Sequence, residues 1–125
     1  MKIEHFAFQV PEPVAFAEWY CEHLGMKTVR STGAPTFTHF LAASDGAVLI
    51  EIYRNDKAPV PDYPAQDPLV IHLAFASDDP EADRDRLLKV GASHESGPTT
   101  TAAGDTLVML RDPWGFPIQL CQRAE

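Results

Sequence analysis

The chain repeats itself. His5-Phe6-Ala7-Phe8 is answered by His72-Leu73-Ala74-Phe75, 67 residues further on. Gly25 is answered by Gly91, 66 residues on. Gly46-Ala47-Val48-Leu49-Ile50-Glu51-Ile52 aligns with Gly115-Phe116-Pro117-Ile118-Gln119-Leu120 when one residue is skipped. Each motif is short, but a shared spacing across three of them points to a duplicated unit. A chain built this way folds as two similar halves related by a pseudo-twofold axis, so one unit largely fixes the architecture.

That unit reads as β-α-β-β-β. Ile3 to Val10 alternates as a strand, and Pro11 and Pro13 end it because proline donates no ladder hydrogen bond. Pro13 suits a helix start, Phe16, Trp19, Tyr20 and Leu24 follow at helical spacing, and Gly25 suits the helix end. Strands are expected over Met26 to Ser31, Thr36 to Ala43 and Ala47 to Arg54. Residues 58–68 hold four of the eleven prolines and read as a stiff linker without regular structure. The second copy runs strand Leu69 to Ser77, helix Asp79 to Val90, then strands Ser93 to Pro98, Thr106 to Arg111 and Pro117 to Gln122. The expectation is an α+β fold in one domain, residues 1–125, whose βαβββ modules (about 1–57 and 68–125) form a cup-shaped mixed sheet.

Charge narrows the partners. Ten Lys and Arg against 18 Asp and Glu give a net charge of -8, the wrong sign for a general nucleic-acid or anionic-lipid surface. No apolar run approaches the ~20 residues that span a bilayer, and the N-terminus lacks a secretory apolar stretch. Two cysteines are too few for a disulfide scaffold, which fits a reducing cytoplasm. A small-molecule partner remains.

Strand alternation says where such a molecule would sit. His5 shares parity with Ala7 and Gln9, and His72 with Val70, Ala74 and Ala76, opposite the bulky apolar positions. Glu51 opposes Val48, Ile50 and Ile52, and Gln119 opposes Ile118 and Leu120. The repeat pairs His5 with His72 and Glu51 with Gln119. Two imidazoles, a carboxylate and an amide oxygen suit a divalent metal such as nickel, zinc, cobalt, manganese or iron. The other reading of each histidine is an ordinary hydrogen-bonded strand residue.

These residues resemble the vicinal oxygen chelate superfamily, the glyoxalase, bleomycin-resistance and extradiol-dioxygenase fold. The likeness rests on Ile3-Glu4-His5, Trp19-Tyr20 with Leu24-Gly25-Met26, Val48-Leu49-Ile50-Glu51, Ile71-His72-Leu73-Ala74-Phe75, and Asp112-Pro113-Trp114-Gly115 leading into Ile118-Gln119-Leu120. It implies metal ligands at His5, Glu51, His72 and Gln119, with Glu51 as catalytic base. His-Glu-His followed by a final acid is similar to glyoxalase I, an isomerising lyase. Here Gln119 replaces that acid, and an amide oxygen ligates but takes no proton near neutral pH. Glutathione-using members carry an arginine where this chain has Gln9, and an asparagine where it has Asn55. The resemblance further implies a cavity-facing His39 and a homodimer; Gln9, Tyr53, and Met109 with Arg111, which share one face of the seventh strand, are further candidate substrate contacts. The alternatives are a metal-free binder of the bleomycin-resistance type and an extradiol-type dioxygenase.

Overall fold

The pattern that the repeat predicts is the one that forms, twice over. The computed structural model describes residues 1–125, which divide into two units, Met1–Pro61 and Asp62–Glu125. The first unit runs β1 (Phe6–Gln9), α1 (Pro13–Leu24), β2 (Lys27–Ser31), β3 (His39–Ala42) and β4 (Leu49–Tyr53). The second runs from a single 3-10 turn at Tyr63–Ala65 through β5 (Leu73–Ala76), α2 (Pro80–Leu88), β6 (Ser93–Thr100), β7 (Thr106–Arg111) and β8 (Pro117–Gln122). The sheets have equivalent orders, β1-β4-β3-β2 and β5-β8-β7-β6, and in each the first strand lies parallel to the last. The fold is α+β, with one helix to each four-stranded mixed sheet.

In the first unit α1 begins on Pro13 and ends on Gly25, whose φ of +67° supplies the left-handed cap that a side chain would resist. Its apolar face buries Phe16, Ala17, Trp19 and Tyr20, with Phe16 and Tyr20 stacked at 4.1 Å between ring centres. Phe8, Val10, Leu41, Ile50 and Ile52 complete this core. Each fully buried side chain of this size contributes roughly 1.5–3 kcal/mol, so a handful of such residues sets the sheet face that packs inward. The opposite parity of β1 and β4 is thereby turned away from the core.

In the second unit Asp79 caps α2 by accepting from the Ala82 amide, and the core gathers Leu87, Val108, Leu110, Phe116, Ile118 and Leu120. The helix stops at Leu88, with Gly91 two residues beyond its Lys89 cap rather than ending it. In the turn before β8 the Asp112 carboxylate accepts from the Trp114 and Phe116 amides, and Gly115 closes it with φ at +82°.

Three expectations need correction. The proline-rich stretch is not structureless along its length, because residues 63–65 form the 3-10 turn and bury Tyr63 4.8 Å from the Phe116 ring centre. β1, β3 and β5 start later than expected, β3 at His39 instead of Thr36, and His5 and His72 each lie one residue before their strand. β6 runs two residues further, through Thr100.

Candidate functional site

The first unit builds its site on the sheet face that α1 leaves open. Register places Glu51 beside Ala7 on β1 and beside Phe40 on β3, and sets Gln9 beside Tyr53. Ile50 and Ile52, on the other parity, are buried, which holds β4 with the half-buried Glu51 directed away from the core. Just before β1, His5 reaches Glu51: its Nε2 lies 3.1 Å from Oε2. The other ring nitrogen of His5 meets the Glu4 carboxylate, and the Phe40 ring stands edge-on to the imidazole at 5.8 Å. The Arg30 guanidinium lies 5.8 Å over the same Phe40 ring. The pair is accessible, with 36% of the His5 and 20% of the Glu51 side chain exposed.

The second unit repeats the placement. Gln119 pairs with Ala74 on β5 and with Met109 on β7, so these positions share a face, while Ile118 and Leu120 are buried on the other. His72 precedes β5 by one residue, and its Nδ1 lies 2.8 Å from the Pro68 carbonyl oxygen. A carbonyl only accepts, so Nδ1 carries the proton, and in the neutral ring Nε2 keeps the lone pair. That is the tautomer a metal-binding histidine needs, fixed by a backbone acceptor.

Three residues expected to contact substrate are otherwise occupied. His39 pairs with Ile52 and shares parity with the buried Leu41, so it stands on the face opposite Glu51, with Nδ1 2.7 Å from the Phe37 carbonyl oxygen. Phe40, which the sequence reading missed, takes the Glu51 face instead; the parity of Leu41 was the available signal. Gln9 is buried, and its amide donates to the Asn55 and Ala58 carbonyls at 2.8 and 2.7 Å while its oxygen accepts from the Asn55 amide at 2.6 Å. Gln9 therefore anchors the loop after β4, although it was expected to contact substrate. Arg111 donates at 3.0 and 3.2 Å to Glu95, at 3.0 Å to the Tyr63 carbonyl, at 3.1 Å to that of Gly115 and at 2.8 Å to that of Gln66. A guanidinium has five N–H groups, so Arg111 is saturated within its own unit. This Arg111 contact holds the Glu95 carboxyl below its ordinary range. Tyr53 and Met109 remain on the faces that carry Glu51 and Gln119.

The donor set can be tested against a metal. Two donors at about 2.0–2.2 Å from one ion, at roughly a right angle, stand about 3 Å apart, which the His5–Glu51 spacing matches. His72 presents a ring nitrogen of the right form, and Gln119 a neutral oxygen ligand. No group of three or more His, Cys, Asp or Glu side chains is arranged to hold a metal ion. Within the first unit, His5 and Glu51 thus fit as a donor pair for a divalent ion.

Comparison with known proteins identifies the family. A sequence model of the Glyoxalase/Bleomycin resistance protein/Dioxygenase superfamily matches residues 2–120. No curated protein sequence matches significantly. Among solved structures, a glyoxalase family protein from Enterococcus faecalis is 26% identical, with a TM-score of 0.71 and 96% of each chain covered. TnmS3, an antibiotic-binding protein from a Streptomyces species, is 24% identical, with a TM-score of 0.69 and 99% of each chain covered. A variant of glyoxalase I from Zea mays is 23% identical, with a TM-score of 0.76, and the match covers 99% of this chain but 46% of the maize chain. With nearly its whole length matched, the chain belongs to the Glyoxalase/Bleomycin resistance protein/Dioxygenase superfamily.

Proposed function

We propose that this chain is a metal-dependent, glyoxalase-like enzyme for a small oxygen-rich molecule, with His5, Glu51, His72 and Gln119 as the metal donors. The observation that carries this reading is the 3.1 Å approach of His5 Nε2 to Glu51 Oε2 on an open sheet face. The fixed tautomer of His72 supports it. A divalent metal at such donors supplies Lewis-acid polarisation of the substrate oxygens. Glu51 is the group in this set able to take a proton from substrate, because Gln119 stays neutral at its amide. The Phe40 ring stands edge-on to the His5 imidazole at 5.8 Å.

The test is metal stoichiometry. Wild-type protein offered nickel, cobalt, zinc, manganese and ferrous iron in turn should retain about one equivalent of at least one of them. His5→Ala and His72→Ala should each lose it while the circular dichroism spectrum stays unchanged. A wild type that stays metal-free under every condition overturns the reading.

A second reading has its own support. No three-residue metal group is present, Gln9 and Arg111 are committed to backbone partners, and one structural relative is described as an antibiotic-binding protein. On this reading the chain sequesters an organic ligand against Phe40 and Tyr53 without metal. Ligand binding that survives His5→Ala and chelation together would favour it.

A further inference from the structure

Arg111 reaches further than its own strand. It ends β7, and three of its five donated bonds go to backbone carbonyls, those of Tyr63 and Gln66 in the segment before β5 and that of Gly115 in the turn before β8. The other two go to Glu95 on β6, which fixes the plane of the guanidinium. Its side chain is 12% exposed; its bonds to the three backbone carbonyls are part-buried, while those to Glu95 are exposed.

The segment held in this way leads directly to His72. Two residues beyond Gln66 lies Pro68, whose carbonyl oxygen accepts from His72 Nδ1. Between them the Asp67 carboxylate accepts from the Leu69 amide at 2.8 Å, and the Asp67 carbonyl accepts from the Val70 amide at 2.9 Å, which makes residues 67–70 a tight turn. Apolar burial does little to hold that turn in place: Leu69 and Val70 are 86% and 70% exposed. Its restraints are polar, and on the Gln66 side the outgoing one is Arg111. Tyr63, buried against Phe116, anchors the far end of the same segment.

We propose that Arg111 is a positioning residue for His72, clamping the 63–68 backbone so that the Pro68 carbonyl holds the imidazole with Nδ1 protonated and Nε2 open to a ligand. That His72 then serves as a metal donor rests on the function proposed above; the control of its tautomer by Arg111 does not. Without the clamp, the Pro68 carbonyl drifts from Nδ1 and the ring returns toward the Nε2–H form that free imidazole side chains favour. Loss of an outer partner of this kind typically weakens metal binding 10- to 100-fold.

The experiment reads the ring directly. In metal-free, nitrogen-15-labelled protein at alkaline pH, the ring nitrogen shifts of His72, assigned with His72→Gln, report which nitrogen carries the proton. Wild type should show Nδ1–H. Arg111→Gln should move His72 toward Nε2–H, with β7 and β8 amide signals in place, and Arg111→Lys, with fewer donors, should fall between. Should Arg111→Gln not fold, Glu95→Gln removes the charge that orients the guanidinium and should give a smaller shift in the same direction. An unchanged His72 tautomer in folded Arg111→Gln, or in Glu95→Gln where that stands in for it, overturns the proposal, even with stoichiometric metal bound to wild type. A tautomer shift in a protein that binds no metal supports the clamp and removes the metal reading alone.

Discussion

Gly115→Ala isolates the close approach that seats the 63–65 turn. Gly115 has φ at +82°, a conformation that costs an L-residue about 1–2 kcal/mol. A Cβ there would also fall within 3.0 Å of three ring carbons of Pro64. Proline cannot swing aside as a flexible side chain can, so its backbone must move, and overpacking of this kind costs about 1–3 kcal/mol. The sum is about 2–5 kcal/mol, spent in the second unit, where Pro64 neighbours Tyr63 and its contact with Phe116. Gly46→Ala is the control: its φ is +76°, but nothing lies within 4 Å of the added carbon, so about 1–2 kcal/mol is expected. Each unit carries one tryptophan, Trp19 in the first and Trp114 in the second. Urea unfolding by fluorescence, on a Trp19→Phe background for Gly115→Ala and a Trp114→Phe background for Gly46→Ala, therefore reads each unit separately. If Gly115→Ala costs no more than Gly46→Ala, the close approach of Pro64 is not a constraint and the reasoning fails.

Other predictions concern residues reassigned by the structure. Because Arg111 holds the Glu95 carboxyl below its usual value of 4.5, this pair stabilises the fold fully above that pH, and the contribution is lost as pH falls through the lowered value. The urea midpoint gap between wild type and Glu95→Gln should therefore be largest near neutrality and shrink below pH 4.5. Gln9→Leu keeps the volume but removes three hydrogen bonds to the Asn55 and Ala58 backbone, and should cost about 2–4 kcal/mol with faster amide exchange at Asn55; an unchanged midpoint would contradict the anchoring role.

Local pattern carried much of this architecture. The spacing of Phe16, Trp19 and Tyr20, Pro13 at the start of α1 and Gly25 at its end each act within a few residues, and each formed as expected. Parity alone set Glu51 opposite Ile50 and Ile52. The face of His39 is equally legible from the parity of the buried Leu41, two residues away. Arg111 and Gln9 were not legible in this way. Their partners lie as far as 48 and 49 residues off along the chain, so their saturation depends on how distant segments meet. The buried Tyr63 was hidden for a related reason, since its proline-rich surroundings read as linker and its partner Phe116 belongs to the far end of the unit.

The central claim is that both repeat-related histidines ligate one divalent metal. X-ray absorption of the protein loaded with one equivalent of nickel or zinc counts the imidazoles around the ion directly through their outer-shell scattering. The account predicts two imidazoles among nitrogen and oxygen donors, falling to one in His5→Ala and in His72→Ala where loading at high metal concentration still permits measurement. A wild-type spectrum with one imidazole or none would contradict it.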